Sequence, residues 1–72
     1  MLLEDILFLV NDSQLVKVID NDYYDGSEDW VYFCDTADNI AHELTFHGDA
    51  DRMQVMDIYA HKNVLIICIT LD

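Results

Sequence analysis

The residues Val64-Leu65-Ile66-Ile67-Cys68-Ile69 are apolar at every position, and in a chain of 72 residues that run dictates where much else must go. As a strand it presents Leu65, Ile67 and Ile69 on one face and Val64, Ile66 and Cys68 on the other. A strand apolar on both faces has to be central, or covered on both sides. Val55 to Ala60 precede it across the polar break His61-Lys62-Asn63, so the pair reads as a closing hairpin. A domain of this size buries only about 60% of the surface its unfolded chain exposes, which leaves a thin margin of stability.

Upstream, Leu3, Ile6, Leu7 and Val10 recur at the i, i+3, i+4, i+7 spacing of one helical face, with Glu4 and Asp5 in the first turn. This predicts a short amphipathic helix within residues 2–10. Leu15 to Ile19 and Trp30 to Cys34 are rich in β-branched and aromatic residues and read as strands, with Asp25-Gly26 a turn signal between them. Residues 40–47 fit two templates: Ala37, Ile40, Ala41 and Leu44 share a helical face, whereas Ile40, His42, Leu44 and Phe46 alternate as in a strand. Thr45 and Phe46 continue the alternation, and pairing with residues 30–34 leaves a short turn, which favours the strand. The expected architecture is α+β, a short N-terminal helix packed on a largely antiparallel meander of about five strands, with residues 1–72 forming a single compact domain.

Fifteen Asp and Glu against three Lys and Arg give a net charge of −12. Such a surface lacks the cations needed to replace counterions on phosphates or to dock on anionic lipid, so neither direct nucleic-acid binding nor membrane binding is expected. A basic protein partner is. Hydrophobic residues make up 53% of the chain, which places it outside the disordered class. The apolar N-terminus carries acids where a signal peptide carries bases, and is too short to cross a bilayer; two cysteines are too few for a disulfide scaffold. Reduced thiols and a cytoplasmic location follow as expectations.

The chemistry-bearing residue types do not assemble into a motif. Residues 20–29 hold five acids, but with Gly26 at the sixth position of a calcium loop, Tyr23 falls third and Tyr32 twelfth, where ligands are required. His42, His47, His61, Cys34 and Cys68 lack the close spacings of zinc sites, and a chain with three bases offers little to stabilise a thiolate. Pairs of carboxylates are inevitable among fifteen acids and carry no information about acid–base catalysis. No enzymatic activity, cofactor or metal is expected.

Charge distribution is more informative. In an up-and-down meander, loops 20–29 and 48–53 fall at the same end, together with the helix start and the C-terminus. That end would collect Glu4, Asp5, Asp20, Asp22, Asp25, Glu28, Asp29, Asp49, Asp51 and Asp72. The expected partner-binding residues are Asp20, Asp22, Asp25, Glu28, Asp29, Asp49 and Asp51, with Tyr23, Tyr24 and Trp30 as aromatic anchors or core residues. Alternate residues on a strand face are ~6.6 Å apart. Asp20-x-Asp22 and Asp49-x-Asp51 at that spacing would imitate the phosphates of one DNA strand. The alternative is a structural or assembly protein that forms a homodimer through apolar strands, its charge serving solubility only. Crowded carboxylates that repel one another would also titrate high, so that mild acidification stabilises the fold.

Three segments carry a family likeness: Phe46-His47-Gly48-Asp49-Ala50, Val55 to Ala60 with Asn63 to Ile69, and the opening Leu3-x-x-Ile6-Leu7-x-Leu9. Together they resemble the hairpins and first helix of small α+β proteins carried by bacteriophages of Gram-positive bacteria. Among small acidic phage proteins, the resemblance implies an anti-CRISPR type of inhibitor, which occupies the DNA-binding surface of a CRISPR effector in a bacterial host cell. No single residue role carries over from it.

Overall fold

The computed structural model describes residues 1–72. Its elements are α1 (Leu3–Leu7), β1 (Leu15–Asp20), β2 (Val31–Thr36), α2 (Ala37–Leu44), β3 (Met53–His61) and β4 (Val64–Leu71), with 3-10 turns at Glu28–Trp30 and Ala50–Arg52. The strands form one mixed sheet in the order β2-β1-β4-β3. β1 pairs antiparallel with β2 and parallel with β4, and β3 pairs antiparallel with β4. The expected five-strand meander is therefore corrected to four strands with a parallel centre; the α+β class stands.

The correction turns on residues 37–44. Thr36 accepts the Asn39 N–H at 3.4 Å from the N-cap position, and Ala37, Ile40 and Leu44 are buried as one helical stripe. Ile40 and Leu44 belong to both the helical and the alternating pattern, so periodicity could not separate them. His42 and Phe46, the remaining members of the alternating set, lie outside the core and pack edge-to-face on each other at 5.5 Å. The cap and the helix-forming Ala37 and Ala41 were the signals that favoured a helix.

Both helices cover one face of the sheet. Leu3 and Leu7 from α1 and Ile40 and Leu44 from α2 pack against Val16, Val18, Phe33, Met53, Ile67 and Ile69. The α1 stripe is the one the spacing predicts, and Asp5 accepts the Leu2 N–H at its start. The other face has no helix. There Ile19, Ile66 and Cys68 form a second small cluster that Tyr24, Val31 and Val64 partly cover. β3 and β4 are joined by Lys62 and Asn63, both at positive φ, as a two-residue hairpin turn of the primed type requires.

Burial separates the centre of the sheet from its edge energetically. A chain of this length has a total stability of roughly 4–11 kcal/mol, and Ile67 is fully buried. Ile67→Ala is expected to cost about 3–4 kcal/mol in a urea melt, and Ile58→Ala on the exposed edge strand less than about 1 kcal/mol. Equal costs at the two positions would contradict this assignment of the core.

Candidate functional site

Strand direction decides where the acids gather. β1 ends at Asp20, β2 begins at Val31, β3 begins at Met53 and β4 ends at Leu71, so residues 21–30, residues 45–52 and Asp72 share one end of the sheet. α2 and the segment after it carry the chain from the end of β2 to the start of β3, as the expected strand would have, so the parity of the connections is unchanged. Backbone hydrogen bonds tie the end together, Asn21 N–H to Ile69 O at 2.7 Å and Asp72 N–H to Arg52 O at 2.9 Å. Thr70 Oγ1 donates to Asp22 Oδ2 at 3.3 Å across the same end.

Asp20 anchors the first loop from inside. Its side chain is buried, with one oxygen accepting the N–H groups of Asp22 and Tyr23, each at 2.9 Å, and the other accepting the Tyr32 hydroxyl at 2.6 Å. The register explains how Tyr32 reaches it. Val18 pairs with Phe33 and Ile19 with Val31, so Tyr32 is the extra residue of a β-bulge and its ring leans onto the helix-covered core. The Tyr32 hydroxyl bond, followed by the two N–H bonds, holds the Asp20 carboxyl below its ordinary range. Burial, reinforced by Asp20, pushes the Tyr32 phenol up to about 12. Asp20, one of the expected partner-binding residues, is thus enclosed, its oxygens occupied by the fold.

The other six expected residues lie outward. Asp22, Asp25, Glu28, Asp29 and Asp51 are exposed, and Asp49 is half-buried. None of them lies on a strand: Asp22 to Asp29 belong to the loop and its 3-10 turn, Asp49 precedes the second 3-10 turn and Asp51 lies in it. The strand-face spacing expected of Asp20-x-Asp22 and Asp49-x-Asp51 is therefore absent, because the chain turns at both places. Arg52, the one Lys or Arg at this end, donates to Asp49 Oδ1 at 3.1 Å and to the Asp72 carbonyl at 2.7 Å. Gly26, at φ +97°, and the Asp25 carboxylate, which accepts the Ser27 N–H at 3.0 Å, shape the tip of the loop.

The aromatic residues divide. Tyr23 is 64% exposed and stacks on Trp30, which is 36% exposed, with ring centroids 5.0 Å apart and planes inclined by 26°. Tyr24 folds under the loop instead, its hydroxyl accepting from Lys17 Nζ at 3.2 Å on the helix-free face of the sheet. Only the Tyr23–Trp30 pair joins the acidic surface. Sequence reasoning had no means of separating Tyr23 from Tyr24, adjacent and alike within the acidic segment, or of telling whether Trp30, at the start of an apolar run, would be core.

Leu2 bridges to Gln54 near the beginning of β3, so α1 starts toward this end; Glu4, in its first turn, also lines a groove between the two helices, which Asp12 and Asp38 line from farther along. Both cysteines are free thiols; Cys34 is exposed, and burial pushes the Cys68 thiol upward. No three His, Cys, Asp or Glu side chains converge to ligate a metal ion. No helix is long and apolar enough to cross a membrane. Compared with protein-family models, curated proteins and solved structures, the chain matches none.

The displaced carboxyls are Asp20, Asp25 and Asp35, all shifted downward, the first by Tyr32, the second by the Ser27 N–H and the third by the Asn39 amide. Their contribution to stability is opposite in sign to the one expected from crowding. It is present above the unfolded value of about 3.9 and is lost as pH falls through the lower folded values. Thermal melting at matched ionic strength is expected to show a falling Tm below about pH 4, with a shallower fall in Asp20→Asn. Asp20→Ala, which also leaves two N–H groups and the partly buried Tyr32 hydroxyl without their acceptor, is expected to cost about 2–4 kcal/mol. The exposed Asp29→Ala is expected to change stability by less than about 0.5 kcal/mol.

Proposed function

We propose that the protein is a small, non-enzymatic inhibitor that docks its acidic end on the basic surface of a nucleic-acid-handling protein. One observation carries the reading. Asp22, Asp25, Glu28, Asp29, Asp49, Asp51 and Asp72 crowd one end of the sheet, where Arg52 is the single base and is already bound to Asp49 and Asp72. Carboxylates offer Arg and Lys the acceptors that phosphates do, and a concentrated field of one sign speeds encounter with a complementary surface. The stacked Tyr23–Trp30 pair supplies what charge alone lacks, a rigid aromatic anchor of the kind that dominates interface energetics. Nucleic-acid mimicry is the form this docking takes in the proposal, and the anti-CRISPR type, acting in the cytoplasm of a bacterial host, is its most specific version.

Changing Asp22, Asp25, Glu28 and Asp29 to Asn or Gln is expected to weaken binding to a basic, DNA-binding protein at least tenfold and to flatten the salt dependence of the affinity, while leaving the melting curve in place. Tyr23→Ala is expected to weaken binding with the salt slope retained. Unchanged affinity across the acidic series, measured by isothermal titration calorimetry, would remove the proposal.

The helix-free face of the sheet favours a second reading, a homodimer. Ile19, Ile66 and Cys68 lie there beside Leu15 and Tyr59, which are 51% and 48% exposed. Asp57 is the one acid among these strand positions, so the net charge opposes association less here than elsewhere. Sedimentation separates the readings: an apolar dimer persists or tightens in high salt, whereas an electrostatic complex dissociates.

A further inference from the structure

We propose a second docking surface, the groove between α1 and α2, and assign to it a basic amphipathic helix of a partner protein. It does not rest on the reading built on the acidic end. The groove has a volume of about 250 Å³, below the range of roughly 300–1,000 Å³ usual for small-molecule sites. That space suits one or two side chains of a peptide better than a cofactor.

Its shape follows from the sequence. Ala37 and Ala41, one turn apart on α2, are too short to fill the space toward α1, so a depression remains with Leu7 and Leu44 in its lining. Phe8 stands beside it, 87% exposed immediately after the last residue of α1. Leu7 and Leu44 are themselves almost fully covered, and Phe8 is left as a large aromatic wall with nothing packed over it.

The rim specifies the occupant. The Asp38 N–H donates to the Asp12 carbonyl at 3.1 Å, which sets the segment after α1 against the start of α2 and makes the two helices antiparallel neighbours. Asp12 and Asp38 therefore stand at one end of the groove, and Glu4, from the first turn of α1, stands toward the other. All three are exposed, and no base of the chain neutralises them: Arg52 is paired with Asp49, Lys17 lies on the helix-free face against Tyr24, and Lys62 is in the β3–β4 turn. An apolar floor with carboxylates at both ends is complementary to a helix that presents leucine-like residues at i, i+3 or i+4 with Lys or Arg flanking them. An acidic or purely apolar helix lacks that complementarity.

The test uses the full chain, isotopically labelled, and a synthetic peptide of about 14 residues, near the length at which an isolated helix persists in water. The peptide carries leucines on one face and Lys and Arg on the other; oligolysine of the same charge is the control. Expected are amide shift changes at Phe8, Ala37, Ala41 and Leu44 with the amphipathic peptide, absent with oligolysine, which reports on the acidic end instead. Ala41→Leu fills the groove with a residue of nearly equal helix propensity and is expected to weaken the amphipathic peptide about tenfold or more, with oligolysine binding unchanged. Phe8→Ala, at an exposed position, is expected to do the same without loss of fold. Combined Glu4→Gln, Asp12→Asn and Asp38→Asn is expected to abolish the preference for Lys and Arg over Glu on the peptide's polar face. Shifts confined to residues 21–30 and 45–52, or Ala41→Leu binding within twofold of the parent, would overturn the assignment. Because oligolysine reads the acidic end separately, loss of either site leaves the other measurable.

Discussion

The parallel pairing of β1 with β4 is the constraint from which the remaining architecture follows. Two central strands running the same way cannot be joined by a tight turn, so the chain leaves β1, returns antiparallel along β2, crosses the sheet through α2 and comes back along β3 before β4 can be laid down. The crossover puts α2 beside α1 on one face, and their apolar stripes cover Val16, Val18, Ile67 and Ile69. One face is thus sealed by helices. The other keeps only the small cluster around Ile19, Ile66 and Cys68.

At the end of β1 the same pairing creates the setting for Asp20. The carboxylate sits where the central strand runs out and the acidic loop begins, and it binds the first two free N–H groups of that loop together with Tyr32 of the neighbouring strand. A buried carboxylate is tolerable because its oxygens are satisfied by three donors. Its consequence is positional. With the loop root fixed, Asp22, Asp25, Glu28, Asp29 and the Tyr23–Trp30 stack are held on a short leash beside Asp49, Asp51 and Asp72. One acid serves the fold so that its neighbours can face outward.

A chain with a net charge of −12 must also limit its self-repulsion. Part of the answer lies in local donors. Asp25, Asp35 and Asp57 each accept a backbone N–H within two residues, and Asp35 also accepts the Asn39 amide. On Asp57 this occupies the N–H of Ile58 on the edge strand β3, and Met1 and Leu2 pair with the beginning of the same edge. Occupied edge donors leave fewer sites for another chain to add as a strand.

Much of this was legible in the residues. The doubly apolar run at 64–69 demanded a central strand, the spacing of Leu3, Ile6, Leu7 and Val10 demanded a helix, and Asp25-Gly26 and the break at 61–63 marked turns; all four come from local pattern and backbone preference, which act over a few residues. The excess of acid over base was legible too, since charge is counted residue by residue. Residues 40–47 were not legible by periodicity, since Ile40 and Leu44 satisfy a strand and a helix alike. Nor was the fate of Asp20, identical in type to the acids around it, or of Tyr24 against Tyr23. Those differences arise only when β2 and β4 come to lie on either side of β1, because burial and hydrogen-bond partners are properties of what is brought near, and sequence separation does not encode nearness. Composition made the protein acidic; the parallel pairing of two distant strands decided which acids hold the fold and which face outward.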